Sequence, residues 1–308
     1  MRNIIIKKLI QATIKDPDII LMTSDLGYNA FEPFREQFPK QFYNLGVSEN
    51  NMVGVGSGLA LRGKKVFIYS ILPFLIFRCF EQIRNIICHN NLNVKLLGAG
   101  GGFSYGNQGV SHNTTEDLSI LRSLPNLTIF TPGTHIETTL AFDIMMRQNG
   151  PGFIRLGKVP NMEFHPREPK YLLGDGIIIK DGYKIVIFCI GNIIEDVMEA
   201  ANKLDQLGLN TQVVSFITIK PINKDYIIKM SQSFRAIFTV EEHGELGGLG
   251  TAISEILVES NTSNTFFRRI GVNNKNILEI GTQKYLKEIN GISHQGIVER
   301  IMSYLNEK

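Results

Sequence analysis

The sequence predicts an α/β fold of two domains, each a mostly parallel sheet flanked by helices. Short apolar segments alternate with helical segments along the whole chain. The apolar segments are continuous rather than alternating in polarity, which is typical of strands that are covered on both faces. A single stretch rich in proline and charge interrupts this alternation. The length of 308 residues suits about two domains with substantial cores.

The first domain is predicted to span residues 1–160 and to begin with an amphipathic helix. The N-terminal segment MRNIIIKKLI starts like a signal peptide, but Lys7, Lys8 and Gln11 interrupt the apolar core that a signal peptide needs. A short strand precedes Glu49 in the segment FYNLGV. The other predicted strands are 18–22, 65–69, 94–97, 127–130 and 152–155, and the helices are 50–61, 74–90, 116–124 and 136–147.

A linker is predicted at residues 161–183, and a second α/β domain at 184–308. Proline and charged residues are dense just after the first domain, in the segment LGKVPNMEFHPREPK. Alternating apolar and helical segments then resume. The predicted strands are 184–190, 211–216, 236–240 and 267–270, with helices beginning near 193, 223, 249 and 293.

Composition and charge exclude several classes of protein. Lys+Arg 32 against Asp+Glu 29 gives a net charge of +3, too small and too evenly spread for a nucleic-acid or membrane partner. The three cysteines form no Cys-x-x-Cys pair, which argues against a disulfide framework or a cysteine-rich zinc site and fits a cytoplasmic location. The longest apolar run, residues 66–77, contains Pro73 and is short for a membrane span.

An ordered series of polar and aromatic motifs runs through residues 23–158. Each motif alone is weak evidence, whereas the motifs in this order along the chain are a strong signal. The series comprises Ser24-Asp25-Leu26, NLGVSENN at 44–51, FLIFRCFEQIRN at 74–85, Gly109-Val110-Ser111-His112, LRSLPN at 121–126 and IRLGK at 154–158.

Taken together, this series resembles the pyrimidine-binding domain of the transketolase family. The segments TIKPI at 218–222 and EEHGELGGLG at 241–250 resemble the C-terminal domain of the same family. The resemblance covers nearly the whole chain and is closest to split transketolases, in which this half is a separate subunit. It implies thiamine diphosphate as cofactor and a transferase that moves a two-carbon ketol unit, through the cofactor ylide, from a ketose or ketose phosphate to an aldehyde.

Two alternatives to this function stay open. One is an enzyme that decarboxylates a 2-oxo acid, similar to deoxyxylulose-phosphate synthases or to the β subunits of 2-oxo acid dehydrogenases. The other is a non-catalytic assembly subunit that has kept the fold.

Glu49 is the residue to which the resemblance assigns cofactor activation. A carboxylate beside N1′ of the pyrimidine stabilises the imino tautomer, whose 4′-nitrogen can take the proton from the thiazolium C2. Glu49 lies where a strand ends and a helix begins, which is where ligands bind in folds of this kind. The alternative is a carboxylate that is simply favoured at a helix N-terminus.

Four further residues are predicted to contact the cofactor or to shape its pocket. By resemblance, Phe74 and Phe77 provide an aromatic pocket for the pyrimidine, with i, i+3 spacing on one helical face. Asp25 and Leu26 follow the first strand, and the leucine is expected to hold the cofactor in its bent shape. Core packing for the phenylalanines and a turn at the strand end for Asp25 are the structural alternatives.

His112 is predicted to bind substrate oxygens beside the reactive carbon. Its loop is rich in glycine, which allows the backbone to approach a ligand closely. Transketolases usually carry an acidic pair just before the glycine of this motif, whereas this chain has Asn107 and Gln108. Because an amide forms hydrogen bonds without carrying charge, Gln108 is expected to contact the substrate while the identity of that substrate stays open.

Three cationic residues are predicted to contact the substrate phosphate. Lys158 matches a family arginine and supplies a point charge rather than a bidentate fork. Arg155 lies on the same strand, and Arg2 matches a second phosphate-contacting arginine. Solvent-exposed charge is the alternative for all three.

The half of the site that binds diphosphate is predicted to lie on a partner. In the family, Mg²⁺ is held by a Gly-Asp-Gly segment with an asparagine downstream. Gly174-Asp175-Gly176 is in the wrong domain for this role, so no metal ligands are assigned to this chain. We therefore expect an N-terminal, diphosphate-binding subunit that carries the Mg²⁺ ligands, an α2β2 assembly, and Glu81, Gln82 and Arg84 as candidate interface residues.

Overall fold

The computed structural model describes residues 1–158, 163–165, 169–260, 265–274 and 276–306. In the first half of the chain the strands are β1 (Ile19–Thr23), β2 (Phe42–Asn44), β3 (Lys65–Ile71), β4 (Val94–Ala99), β5 (Thr128–Phe130) and β6 (Gly152–Leu156). The helices are α1 (Arg2–Thr13), α2 (Glu32–Gln37), α3 (Glu49–Leu61), α4 (Leu72–Ile76), α5 (Phe80–Gln82), α6 (Asp117–Arg122) and α7 (His135–Arg147).

The second half continues the alternation. Its strands are β7 (Gly176–Lys180), β8 (Ile185–Ile190), β9 (Thr211–Phe216), β10 (Thr218–Lys220), β11 (Ala236–Gly244) and β12 (Phe266–Val272). Its helices are α8 (Ile194–Gln206), α9 (Lys224–Ser233), α10 (Leu249–Glu259), α11 (Gln283–Ile289) and α12 (His294–Asn306). Short 3-10 turns occur at Gly106–Gln108 and Gly191–Ile193.

Two sheets organise these elements, and both are mostly parallel. The first has the order β10-β5-β6-β4-β3-β1-β2, and only β10 runs antiparallel to its neighbour. The second has the order β12-β11-β8-β9-β7, with β7 antiparallel at its edge. We call the second sheet with α8 to α12 the second domain, and the first sheet with α1 to α7 the first domain. The predicted α/β fold class is confirmed.

The chain returns to the first sheet once after it has entered the second domain, and the sequence does not indicate this return. Strand β10 follows β9 of the second sheet but pairs with β5 of the first, with Thr218 opposite Phe130. The predicted linker also ends too late, because residues 176–180 form β7 and pair with β9. Residues 159–162 and 166–168, which include the predicted domain boundary and part of the linker, lie outside the described residues.

The prediction of one continuous helix at 74–90 is wrong. Helix α4 begins at Leu72, with Pro73 in its first turn, and Cys79 takes φ −107° and ψ 13°, which interrupts the helix before α5. A π-helix follows at Ile83–Cys88. Such wide turns are often found near functional sites.

Apolar packing on both faces of the sheets positions the site. Strands β1, β4 and β6 are buried along their whole length, as expected for central parallel strands. Helix α3 packs on β3 through Gly56, where an added Cβ would lie 2.8 Å from Ile68 Cδ1. Among the described residues, the helices are too short or too polar to cross a bilayer.

Candidate active site

The predicted site residues follow neighbouring strands of the first sheet at their carboxyl ends. Asp25 and Leu26 follow β1, Phe74 follows β3, and His112 lies in the segment that follows β4. Glu49 opens α3, just after β2. Because the carboxyl ends of parallel strands meet at one edge of a sheet, these connections converge there.

Glu49 presents a buried carboxylate at the start of α3. The residue is 3% exposed, although it lies in the first turn of a helix. The Ser70 hydroxyl donates to Glu49 Oε1 at 3.4 Å, and Arg78 Nη1 donates to Oε2 at 3.3 Å. The N-terminus of α3 favours negative charge at this position. The carboxylate therefore combines a low-dielectric environment with positive charge on one side.

Phe74, Arg78 and His112 form a stack next to this carboxylate. The Arg78 guanidinium carbon lies 4.2 Å from the centroid of the Phe74 ring, within the range of a cation–π contact. The His112 ring meets Phe74 edge to face, with centroids 5.0 Å apart. Partial burial and the Arg78 charge lower the pKa of His112 below its ordinary value of 6.5. His112 is thus held as a neutral imidazole near pH 7.

Asp25 and Leu26 form a tight turn held by Asn44. Asp25 takes the left-handed φ of 53°, and its backbone N–H donates to Asn44 Oδ1 at 2.8 Å. Asn44 Nδ2 donates in return to Asp25 Oδ1 at 3.2 Å, and the Thr23 hydroxyl donates to the Leu26 carbonyl at 3.0 Å. Both residues line a cavity of about 420 Å³ together with Tyr28. Asp25 therefore does form a turn at the end of β1, which is the structural alternative to a contact with the cofactor.

Phe77 faces a different neighbour from Phe74. It is 42% exposed and lines a cavity of about 430 Å³ with Val110, Asn113 and Leu278. The two phenylalanines thus border the same segment after β4, one through His112 and the other through Val110 and Asn113. Phe77 directly follows α4 and keeps helical dihedral angles, with φ −73° and ψ −41°, so the two rings lie one helical turn apart but meet different neighbours.

Arg2 and Lys158 lie together as predicted partners of an anion. Both line a cavity of about 540 Å³ that also contains Tyr105 and His135. Met1 lines it too, and burial, followed by the charge of Arg2, lowers the pKa of the Met1 terminal amine. Gln108 is exposed at the end of the 3-10 turn. A phosphate in this cavity would lie near two cationic residues, Arg2 and Lys158.

Arg155 departs from its predicted role. Its side chain is 4% exposed and forms a bidentate ion pair with Asp117, through Nε at 2.8 Å and Nη2 at 3.0 Å. Nη2 also donates to the backbone carbonyls of Thr114 at 2.9 Å and Glu242 at 3.2 Å. The guanidinium is therefore committed to joining β6, α6 and β11, and it is not available to a substrate phosphate.

Sequence reasoning missed Arg78 and Glu242. Arg78 lies four residues after Phe74, so helical spacing could have placed its charge over that ring. In the sequence, Glu242 stands out only as part of the segment EEHGELGGLG. No motif indicated that its side chain, which is 1% exposed, would face the first domain.

The residues around Glu49 fit the pyrimidine of thiamine diphosphate. A buried carboxylate can accept a hydrogen bond from a protonated ring nitrogen, and the nearby Phe74 adds aromatic surface to the site. Among the described residues, no cluster of three or more His, Cys, Asp or Glu side chains is arranged to hold a metal ion.

Comparison with known proteins identifies the family. Residues 1–160 match the model of the transketolase pyrimidine-binding domain, and residues 174–297 match that of the transketolase C-terminal domain. An apulose-4-phosphate transketolase subunit of Actinobacillus succinogenes is 30% identical over 304 residues, covering 98% of this chain and 97% of that protein. A putative transketolase C-terminal section of Methanocaldococcus jannaschii is 32% identical, covering 97% and 94%.

A solved structure agrees with the sequence comparisons. A split-gene transketolase, described as an inactive beta4 tetramer, superposes with a TM-score of 0.86 at 30% identity and covers 99% of this chain and 97% of that one. The two matched domains and the buried carboxylate at the sheet edge both support membership of this family. The chain belongs to the transketolase family, as a β subunit of the split type with transketolase-like ketol transfer as its function.

Proposed function

We propose that the site around Glu49 binds the pyrimidine half of thiamine diphosphate and that Glu49 activates the cofactor for ketol transfer. The observation that carries this proposal is the Glu49 carboxylate, buried at the sheet edge beside Phe74 and His112. When bound, the cofactor supplies the nucleophilic carbon that cleaves the bond next to a ketose carbonyl.

Each remaining residue has a role that its surroundings support. Glu49 holds the proton-bearing ring nitrogen, and Phe74 and Phe77 enclose the pyrimidine in an apolar pocket. Leu26 supports the bent cofactor from the turn that follows β1, where Asp25 and Asn44 fix the backbone. These groups bind and orient the cofactor and exclude water from its reactive face.

Substrate binding involves two groups of residues. His112 Nδ1 is hydrogen-bonded to the Ser111 hydroxyl at 2.9 Å, so Nε2 of this imidazole is the ring nitrogen that contacts a substrate oxygen. Gln108 offers an uncharged amide near the same substrate. Arg2 and Lys158 share one cavity and bind the phosphate of a ketose phosphate donor.

The rest of the active site belongs to a partner. We infer an N-terminal subunit that binds the diphosphate through Mg²⁺, and an α2β2 assembly with each cofactor at a subunit contact. The subunit names of the relatives support this arrangement. The three cysteines are free and buried, which supports a reducing cytoplasmic location.

Reconstitution tests this function. The chain is mixed with a diphosphate-binding transketolase subunit, thiamine diphosphate and Mg²⁺, and transfer from a ketose phosphate to an aldehyde is measured. Glu49→Gln keeps the shape of the side chain but removes the charge that favours the active tautomer. We expect a loss of about 10²- to 10⁴-fold in kcat.

The matched control is Glu259→Gln, which removes a carboxylate from an exposed ion pair on α10. This variant should retain full activity. Equal activity in the Glu49 variant and the wild type would exclude the proposed activation. If no ketose donor is cleaved and a 2-oxo acid instead loses CO₂, ketol transfer is the wrong reaction.

A further inference from the structure

The segment that carries Gln108 and His112 is docked on the second domain. We call residues 100–112 the glycine-rich loop. Its base is closed by reciprocal backbone hydrogen bonds of 3.0 Å between Gly102 and Thr114. The Phe103 ring is fully buried in the apolar core of the second domain, together with Ile187 and Phe238. The loop therefore leaves the first sheet and is anchored in the core of the second.

The Glu242 carboxylate lies at the point where the loop docks. Its Oε1 accepts from the backbone N–H of Phe103 at 2.7 Å. Gln283 Nε2 donates to Oε1 at 2.9 Å and to Oε2 at 3.0 Å, and Asn192 Nδ2 donates to Oε2 at 2.9 Å. The carboxylate is 1% exposed and thus ties the loop to β11, α11 and the turn that precedes α8.

We propose that Glu242 is a positioning residue for ketol transfer, because its carboxylate fixes the loop that presents Gln108 and His112 to the substrate. This proposal rests on the proposed substrate contacts of those two residues. It gives the second domain a direct part in the active site, although Glu242 itself touches neither substrate nor cofactor.

The glycines of the loop fit this docking. Gly102 has a φ of +64°, and an added Cβ would lie 2.6 Å from Glu242 Oε1. At Gly106 an added Cβ would lie 2.4 Å from Leu286 Cδ1 and 2.6 Å from the Gly281 carbonyl oxygen. Both positions need the absence of a side chain for the loop to approach the second domain.

Glu241 provides a matched control within the same strand. It is also 1% exposed, but its carboxylate accepts from the backbone N–H groups of Leu249 at 2.8 Å and Gly250 at 2.9 Å. It therefore caps α10, whereas Glu242 holds the loop. If the buried carboxylates of β11 only stabilised the fold, replacing Glu241 or Glu242 would affect the loop equally.

Hydrogen exchange on the isolated chain, without partner or cofactor, tests the docking. Glu242→Gln leaves one side-chain oxygen for three donor groups, so the Phe103 N–H and Gln283 compete for it. We expect amide exchange in residues 100–112 to rise about tenfold, because a buried hydrogen bond to a charged group is lost. Glu241→Gln should raise exchange at the start of α10 and leave the loop unchanged.

Two further variants keep the test decisive. The double variant Glu242→Gln with Gln283→Glu restores a carboxylate–amide pair and should restore loop protection. If Glu242→Gln alone does not fold, Glu242→Asp retains the charge but retracts it, and it should also raise exchange in the loop. Loop exchange that is unchanged in these variants, or that rises equally in Glu241→Gln, overturns the proposal.

Activity gives a second readout. In the reconstituted enzyme, Glu242→Gln should lower kcat/KM for the ketose at least tenfold and lower the affinity for thiamine diphosphate far less, since Glu49 and Leu26 lie outside the loop. An equal loss of cofactor affinity would contradict positioning. Loop-specific exchange in an enzyme that transfers no ketol unit would support the docking role and exclude the proposed function.

Discussion

Glu49 and Arg78 form an ion pair whose two members differ sharply in exposure. The Glu49 side chain is 4% exposed and that of Arg78 is 52% exposed, with Oε2 and Nη1 3.3 Å apart. The same guanidinium stacks on Phe74 and, in addition to the larger effect of burial, lowers the pKa of His112. One half-exposed cation therefore acts on both the proposed cofactor-activating carboxylate and the proposed substrate-binding histidine.

Replacing Arg78 by Met should raise the pKa of His112. The variant removes a positive charge that disfavours the imidazolium but keeps apolar packing over the Phe74 ring. At pH values below the ordinary pKa of histidine, His112 in the folded variant then binds more protons than it does in the wild type. Protonation of His112 on acidification therefore lowers the free energy of unfolding less in the variant than in the wild type. An NMR titration of the His112 ring protons measures the change.

Arg84→Met is the control for this titration, because Arg84 is exposed on the π-helix and donates to the neighbouring Asn85. It should leave the pKa of His112 unchanged. An unchanged His112 pKa in the Arg78 variant would show that burial alone lowers it.

Asp117→Asn should destabilise the chain by about 3–5 kcal/mol, because it leaves the buried Arg155 guanidinium without the carboxylate that is paired with it. Urea unfolding of the chain measures the loss. Glu259→Gln, which breaks the exposed pair with Lys224, should cost at most about 1 kcal/mol. The double variant Asp117→Asn with Arg155→Met should recover part of the loss, and a small effect of Asp117→Asn alone would mean that the pair is not structural.

Glu49 and Arg155 mark the limits of what the sequence could predict. The alternation of apolar and helical segments predicted the fold class, and the resemblance of the ordered motifs to the transketolase family assigned roles to Glu49, Phe74 and His112. The fold class depends on local pattern, and the expected position of Glu49 depends on the rule that ligands bind at the carboxyl ends of parallel strands. Arg155 looked like a substrate contact because nothing local indicates that Asp117, 38 residues earlier, would neutralise it.

The contacts between the domains could not be predicted for the same reason. Strand β10 pairs with β5 across 88 positions of chain, and Glu242 reaches Phe103 across 139. Such pairings depend on how the two sheets pack, and no periodicity in either segment encodes them. The interruption of the helix at Cys79 could not be predicted, because the apolar spacing of this segment is equally compatible with a continuous α-helix.

Glu241 and His243 should give stability opposite dependences on pH. Burial raises the pKa of Glu241 from 4.5 to about 7, so its contribution is present below 4.5 and is lost as the pH rises towards 7. Burial lowers the pKa of His243 from 6.5 to about 4, so its contribution is present above 6.5 and is lost as the pH falls towards 4. Between pH 4.5 and pH 6.5, the pH dependences of these two contributions to stability partly cancel.

The variants separate these two contributions. Relative to wild type, Glu241→Gln should gain roughly 2 kcal/mol in free energy of unfolding between pH 5 and pH 7, because the unfavourable ionisation is removed. His243→Gln should change in the opposite direction over the same range. Urea unfolding at the two pH values checks both, and parallel changes in the two variants would contradict the assignment.

Lys158→Gln should discriminate between phosphorylated and unphosphorylated donors. Lys158 shares the cavity with Arg2, so removing its charge weakens the contact with a phosphate while leaving the contacts to the ketose carbons in place. We expect KM for a ketose phosphate to rise about tenfold or more, with KM for the unphosphorylated ketose unchanged. Steady-state kinetics of the reconstituted enzyme with both donors measures the difference. Lys224→Gln, which removes an exposed charge on α9, should alter neither KM. An equal rise for both donors would place Lys158 at the ketose itself rather than at the phosphate.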